Sequence, residues 1–171
     1  MKVLKQTLTL FALLAVFSTA AFAQTASVNA SATVQAALTV SNVSDLAFGQ
    51  ILATDTPTIS ATDAGAGAVS IENAANNAAL DVTVNYPASL SDGTDNLTFA
   101  NYSAAYRLDG TNDNSASTTS LGTAVGQDIS GSFNSTGNTI FVYVGGQITD
   151  ASAGQPGVQY SNDITVTVSY Q

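Results

Sequence analysis

The sequence predicts an all-β fold, an antiparallel immunoglobulin-like β-sandwich of seven to nine strands. Apolar and polar residues alternate with a period of two through much of the chain, which is typical of strands with one buried face. Clusters of Gly, Asn, Asp and Ser separate these segments at short intervals, and no segment has the period of a convincing amphipathic helix. Short strands joined by such turns favour a sandwich built as one domain.

The first 23 residues have the features of a cleavable signal peptide. Lys2 and Lys5 give a positive start, and the segment Leu8 to Phe17 is almost entirely apolar. Ala21-Phe22-Ala23 places small residues where a leader peptidase cleaves. Because the apolar segment is shorter than the roughly 20 residues of a membrane-spanning helix, we expect no membrane insertion after cleavage. The chain is therefore expected in the periplasm, at the cell surface or outside the cell, as a single β-sandwich domain over residues 24–171.

The first predicted strand is long and covers residues 26–40. Its alternate residues are apolar and share one face of an extended segment: Val28, Ala30, Ala32, Val34, Ala36, Leu38 and Val40. Two interpretations are open. The segment is either the first strand of its own sandwich or a donor strand that completes the sheet of a neighbouring subunit.

Four more strands are predicted before residue 109. Leu46 to Leu52 is apolar around Gly49, a residue that indicates a bulge or a close approach of another chain segment. The other three segments are marked by Val69 and Ile71, by the alternation from Leu80 to Tyr86, and by the segment from Leu97 to Leu108. In the last of these the parity shifts between Phe99 and Tyr102, as a bulge or short turn would require.

Three strands are predicted in the last third of the chain. Ile129 to Phe133 is a short one, and Ile140 to Val144 is continuously apolar, which indicates burial on both faces. Gly145-Gly146 is expected to end or kink that strand. The final strand has the apolar face Ile164, Val166, Val168 and Tyr170, and we interpret it either simply as the closing strand of the core or as a strand that also pairs with another chain.

The segments between the strands have turn chemistry. Examples are Ser91 to Asp95, Asp109 to Asn114, Asn134 to Asn138 and Gly154 to Gly157. The segment from Glu72 to Leu80 is rich in Ala but contains three Asn, and we expect a loop or a single turn there.

Composition excludes most kinds of catalytic site. The chain has no Cys and no His, so thiolate and imidazole chemistry, tetrahedral zinc sites and disulfides are excluded. Beyond the leader, Arg107 is the only base against twelve acids, a formal charge of −11. Nucleic acid needs a basic surface to bind, so it is not an expected partner. We predict a protein that is not an enzyme and needs no cofactor.

The remaining polar residues are better explained as turns than as sites. Asp109, Asp113 and Asn114, or Asp92 and Asp95, offer oxygen atoms to Ca²⁺, but their spacing is not that of an EF-hand loop. Paired carboxylates for glycoside hydrolysis would need a cleft, whereas nearly all the acids lie in predicted turns. Arg107 is expected to pair with Asp109 or another of the acids. We predict no catalytic and no metal-binding residue.

Several motifs together resemble a known family. They are Leu46-x-Phe48-Gly49-x-Ile51, Val144-Gly145-Gly146, and Pro156-Gly157-x-x-Tyr160-Ser161 ahead of the last strand. This combination resembles the bacterial secreted family called domain of unknown function 4402, and it is more distantly similar to spore coat protein U and the chaperone-usher pilins. The resemblance implies an exported β-sandwich of surface or fimbrial character and implies no reaction.

Two function classes follow. The first is a structural protein of the cell surface, such as a fimbrial or filament subunit that assembles through strand pairing with copies of itself or with a periplasmic chaperone. The alternative is an adhesion module that binds carbohydrate or another ligand on aromatic side chains. With no Trp in the chain, the aromatic candidates are Tyr102, Tyr106, Tyr143 and Tyr160.

Overall fold

The structure of the protein is a computed structural model that describes residues 26–115, 118–124 and 126–171. The predicted signal peptide, residues 1–23, lies outside the described residues. The chain divides into two units, residues 1–34 and residues 35–171. In the first unit, residues 26–34 are exposed and form neither helix nor strand. Every strand that the structure describes lies in the second unit.

Ten strands and one short 3₁₀ turn make up the described part of the second unit. The strands are β1 (Thr39–Ser44), β2 (Thr58–Ile59), β3 (Gly67–Glu72), β4 (Ala79–Asn85), β5 (Ser89–Ser91), β6 (Asn96–Arg107), β7 (Thr119–Ala124), β8 (Asp128–Asn134), β9 (Ile140–Ile148) and β10 (Thr165–Tyr170). The larger sheet has the order β1-β3-β9-β6-β5, with β2 also beside β9 and β7 also beside β6. The smaller sheet has the order β10-β4-β8. All of these strand pairs are antiparallel, and the predicted β-sandwich is confirmed.

The main core lies between the two sheets. Alternate residues of β4 and β8 face alternate residues of β3, β6 and β9, as the period of two requires. The most deeply buried side chains of this core are Ile71, Leu80, Val82, Val84, Phe99, Ile140 and Val142. Tyr86, Phe99 and Tyr102 form an aromatic cluster within it, and the Tyr86 and Tyr102 rings stack at 4.5 Å.

A second buried cluster lies on the outer face of the larger sheet. Phe141 and Tyr143 of β9 point there, and small residues of neighbouring segments pack around them. The loop after β6 covers this face, since Asn114 Nδ2 donates to the backbone carbonyl oxygens of Ala61 and Asp63. The two clusters together bury β9 on both faces, which confirms the expectation from its continuous apolar sequence.

The strand does not end at Gly145-Gly146, as one of the two predicted alternatives required, because β9 continues to Ile148. Both glycines are needed for close packing instead. A Cβ on Gly145 would meet the carbonyl oxygen of Ile59 and, at 2.6 Å, the backbone nitrogen of Ala61. A Cβ on Gly146 would meet the ring of Phe99. The glycines therefore let β2 and an aromatic ring approach β9 closely.

Gly145→Ala is expected to destabilise the fold by about 1 to 3 kcal/mol or more, because the added methyl group meets backbone atoms that cannot rotate away. Gly126→Ala is the matched control, since nothing lies within 4 Å of its Cβ position. Urea denaturation of both variants measures the difference in free energy of unfolding. Equal midpoints for the two variants would show that β2 moves aside with no loss in the free energy of unfolding.

The parity shift predicted in β6 is confirmed as a bulge. The register of β6 against β9 shifts between Ala100 and Ser103, and Asn101 has a positive φ of 49°. The Tyr102 hydroxyl donates within this bulge, at 2.6 Å from the carbonyl oxygen of Phe99. Burial raises the pKa of both Tyr86 and Tyr102 above the ordinary tyrosine value.

Two segments differ from the predicted strands. Residues 46–52 form no strand, and Gly49 has a φ of +67°, yet Leu46 and Phe48 still pack against the core. In the segment predicted as a strand over 26–40, only Thr39 and Val40 lie in a strand, namely β1. The preceding residues have no partner strand among the described residues, and without a ladder the alternation is not expressed as a strand.

The loop expected between Glu72 and Leu80 is confirmed. It contains Asn73 and Asn77, both with positive φ, a conformation that Asn adopts more readily than most residues. This loop joins β3 to β4 and so links the two sheets at one end of the sandwich.

Candidate functional site: the open edge of the sandwich

One lateral side of the sandwich is closed by β7 and β8. β7 pairs with β6 of the larger sheet and β8 pairs with β4 of the smaller sheet. The two strands touch closely, because a Cβ on Gly131 would lie 2.5 Å from the Leu121 side chain and one on Gly122 would lie 3.3 Å from Ile129. β7 was not predicted from the sequence, since Thr119–Ala124 has few apolar residues and no clear alternation.

The opposite side has no such closure among the described residues. There the outer strands are β1 of the larger sheet and β10 of the smaller sheet, and β10 pairs with β4 alone. The Gln171 N–H donates to the Ala79 carbonyl directly opposite. By the alternation of antiparallel ladders, the odd-numbered residues of β10 bond to β4. The N–H and C=O groups of Val166, Val168 and Tyr170 therefore face the unpaired edge.

The apolar face of β10 is only half-buried. Ile164, Val166, Val168 and Tyr170 all pack against the main core, yet each is of intermediate exposure, whereas the equivalent residues of β4 are fully buried. The Tyr170 hydroxyl accepts a hydrogen bond from the Ala75 N–H at 3.2 Å, which fixes the end of the strand against the β3–β4 loop. The predicted apolar face of the last strand thus lies at the border of the core, and no second strand is paired beside it among the described residues.

The edge of β10 carries none of the usual protections against strand pairing. Natural edge strands are blunted by Lys, Pro, bulges or short length. β10 reads Thr-Val-Thr-Val-Ser-Tyr, which is uncharged and strongly β-forming, and its six pairs with β4 run without a bulge. β1, by contrast, has an irregular register between Asn42 and Ser44. The edge of β10 is therefore the surface most ready to accept a strand.

The chain enters β1 at the same end of the sandwich where β10 finishes. Asn73 Nδ2, in the β3–β4 loop, donates to Thr39 Oγ1 at 3.2 Å. Val40 lies opposite Ile71 in the ladder, and directly opposed residues share a face, so Val40 is on the core side although it is 41% exposed. Leu38 also packs against the core. The even-numbered residues at this point of the predicted strand thus face inward.

The N-terminal tail, defined here as residues 26–37, presents the rest of the predicted apolar face. Its members Val28, Ala30, Ala32, Val34 and Ala36 are all exposed, and Val28 and Val34 are each 93% exposed. Exposed valines in alternation with polar residues are unusual on a folded surface, where large apolar residues occur singly. The apolar face predicted from the sequence is therefore exposed throughout this segment.

The acidic residues considered for Ca²⁺ are used by turns. Asp92 Oδ1 accepts the N–H groups of Thr94 and Asp95 at 2.8 and 2.7 Å, and these bonds hold the pKa of Asp92 below its ordinary value. Asp113 Oδ1 accepts from the hydroxyl and the N–H of Ser115, which likewise lowers its pKa. Within the described ranges, no group of three acidic side chains converges in a way that could hold a metal ion.

The expected partner of Arg107 is confirmed as Asp109. Arg107 Nε and Nη2 donate to the two Asp109 carboxylate oxygens at 2.7 and 2.6 Å, and Nη1 donates to the Asp113 carbonyl oxygen at 2.8 Å. Tyr143 extends this cluster, because its hydroxyl donates to Asn112 Oδ1 at 3.2 Å. The cluster fastens the loop after β6 over the outer face of the larger sheet.

We expect Asp109 to titrate at about 2, because the bidentate bond from Arg107 favours its ionised form. A depressed folded-state pKa means that the carboxylate contributes stability above the unfolded value of about 3.9 and that this contribution is lost as the pH falls through about 2. Arg107→Gln should raise the pKa of Asp109 toward its ordinary range, although the hydrogen bond from the Thr111 N–H continues to lower it. NMR titration of the carboxyl carbons measures both values, and an unchanged pKa in the variant would contradict the assignment.

The aromatic residues considered for ligand binding are mostly structural. Tyr102 and Tyr143 are buried, and the Tyr106 ring stacks on Phe133 at 4.3 Å. Tyr160 is partly exposed, but its hydroxyl accepts the N–H of Gln155 and so belongs to the loop before β10. These four rings form no shared platform.

Comparison with known proteins adds no relative: no family model matches the chain, and no curated protein matches it. No helix in the part of the chain that the structure describes is long and apolar enough to cross a membrane.

Proposed function

We propose that the protein is an exported, non-enzymatic structural subunit of the cell exterior that assembles by strand pairing, the tail of one copy adding to β10 of another. The observation that carries this proposal is that one chain has both an unpaired strand edge and an unpaired segment with the alternation of a strand. β10 offers unbonded ladder groups beside a half-buried apolar row, and the tail offers an unpaired alternating segment with an exposed apolar face. Addition of the tail to the edge of β10 would pair the free ladder groups of β10 and bury the apolar face of the tail.

The dimensions of the two partners agree. The alternating segment from Val28 to Val34 has four apolar residues on one face, Val28, Ala30, Ala32 and Val34, and the face of the last strand also has four. These four side chains are small or of medium size, which suits a narrow space between two sheets rather than a wide pocket. Residues 35–37 then serve as the connection to β1.

Charge and leader sequence support the cell exterior as the place of assembly. The chain beyond residue 23 has a single base against twelve acids, which keeps separate copies soluble and opposes binding to nucleic acid or anionic lipid. The signal-peptide pattern supports export. We expect the exported protein to begin at Gln24, which N-terminal sequencing of secreted material would check. An exposed edge would also suit a periplasmic chaperone before assembly.

The proposal is tested by the size of the purified chain from Gln24 onward as a function of concentration. Sedimentation velocity is expected to show oligomers that grow with concentration, and negative-stain microscopy is expected to show elongated particles. A protein that remains monomeric at millimolar concentration would refute assembly by strand pairing. The measurement needs no ligand, because the partner is the chain itself.

A further inference from the structure

We infer that a groove on the outer face of the larger sheet binds a neutral sugar residue. The groove has a volume of about 340 Å³, within the range of about 300 to 1,000 Å³ that is usual for small-molecule sites. Its lining comes from the β2 segment, from the bulge of β6 and from the end of β7, and none of it belongs to β10 or to the tail. A ligand here is therefore independent of the proposed assembly by strand pairing.

The floor of the groove is formed where three strands lie side by side. Ser103 of β6 lies opposite Gly145 of β9 and opposite Thr123 of β7. Directly opposed residues share a face of a sheet. Ser103 faces outward, because its hydroxyl oxygen accepts the N–H of Ala61, a residue of the second buried cluster, at 3.0 Å. The backbone that follows β2 thus crosses β9 at Gly145 and forms one wall of the groove.

The bulge in β6 places an amide group beside this floor. Asn101 has a positive φ of 49° and is exposed. Its Nδ2 donates to Gln147 Oε1 at 2.5 Å, and this bond leaves Asn101 Oδ1 as an acceptor with no partner among the described residues. β-bulges occur frequently next to active sites, because they redirect a side chain out of the regular alternation.

Two hydroxyl groups of the groove are also unused by the fold. Thr58 and Thr123 are exposed, and neither side chain makes a hydrogen bond to any other described residue. The Ser103 hydroxyl accepts from Ala61, but its own proton is not donated to any residue that the structure describes. The groove thus offers donors and acceptors on neighbouring strands, an arrangement that suits the several hydroxyl groups of one sugar ring.

The chemistry of the lining selects against charged ligands. No Asp, Glu, Lys or Arg is among the described residues that line the groove, and the strongly acidic chain would repel an anion. Ile59 and Ala124 add apolar surface against which the C–H groups of a sugar ring can pack. Tyr102 also lines the groove but is only 3% exposed. Binding therefore depends on hydrogen bonds rather than on ring stacking, and we expect millimolar affinity.

Saturation-transfer difference NMR on the chain from Gln24 onward tests this inference. The signals observed are those of the sugar, so the measurement works on single and assembled copies alike. The probes are glucose, galactose, mannose and N-acetylglucosamine, with glucuronate as the charged comparison. At least one neutral sugar is expected to bind with a Kd in the millimolar range and more tightly than glucuronate.

Thr58→Val with Thr123→Val removes the two unused hydroxyls and nearly preserves the shape of the groove. It is expected to weaken sugar binding by about tenfold to a hundredfold, as the loss of two neutral hydrogen bonds predicts. Thr98→Val with Thr119→Val is the matched control, because both threonines are exposed in strands of the same sheet but lie outside the groove. The control should bind as the unchanged chain does, and circular dichroism verifies that both variants keep their β-sheet content.

Absence of saturation transfer to all four neutral sugars would overturn the inference, and so would binding of glucuronate alone. Equal binding by the groove variant and the control variant would place the sugar elsewhere on the surface and would overturn it too. Each of these results would leave assembly by strand pairing intact, because sedimentation velocity measures that assembly without any sugar.

Discussion

A shortened chain that begins at Leu38 is expected to fold and to stay monomeric at concentrations where the chain from Gln24 onward assembles. All ten strands and the core contact of Leu38 are retained, so the stability of the fold should change little. The shortened chain has lost the strand it would donate but keeps an open β10. Sedimentation velocity is the measurement, and circular dichroism confirms that the β-sheet content is kept.

Two double substitutions test whether assembly depends on the apolar face of the tail rather than on its length alone. Val28→Asp with Val34→Asp places two charges on the face that would be buried, and it should abolish assembly as completely as the deletion does, because buried unpaired charges are costly. Asn29→Asp with Gln35→Asp adds the same two charges on the opposite face and should leave assembly largely intact. Equal loss in both pairs would mean that net charge, rather than the buried face, governs association.

Val168→Lys in β10 is expected to weaken self-association by about a hundredfold while leaving the monomer folded. The side chain of Val168 lies in the half-buried row at the open edge, so a lysine there can reach solvent in the monomer but obstructs an added strand. Loss of one buried valine contact alone is worth about 1.5 to 3 kcal/mol, or roughly tenfold to more than a hundredfold in affinity. Concentration-dependent sedimentation gives the change.

Thr167→Lys is the matched control for this variant. Thr167 lies on the outer, exposed face of the same strand, opposite Thr83, and its N–H is directed toward β4 rather than toward the edge. The same charge at this position should change association by less than tenfold. If Thr167→Lys were the more damaging of the two, the added strand would not pack its apolar face against the core border.

Alternation predicted the strands that form the core. The segments around Val82, Phe99, Ile129 and Val168 are strands, because each has one face that is buried between the two sheets. The segment around Val142 is a strand buried on both faces, as its continuous apolar sequence indicated. The change of parity between Phe99 and Tyr102 predicted either a bulge or a short turn in β6, and the structure has the bulge.

Features that depend on distant contacts were not predictable. From the sequence, Gly145 and Gly146 indicate an interruption of the strand. Only the close approach of β2 and Phe99 shows why glycine is required within it. β7 carries almost no apolar pattern, yet it closes one side of the sandwich, and without it the open side cannot be recognised. The sequence indicates that residues 28–40 have a strand face, whereas the absence of any partner strand for 26–38 among the described residues is information that only the structure provides.

The most direct test of strand pairing is the binding of a synthetic peptide of residues 26–37 to the shortened chain that begins at Leu38. Isothermal titration should show saturable binding with one peptide per chain, and the same peptide with Val28→Asp and Val34→Asp should not bind. Binding should also be lost in the shortened chain that carries Val168→Lys. Strand pairing between the tail and β10 would be contradicted if the peptide failed to bind a folded shortened chain, or if it bound equally well with and without the two aspartates.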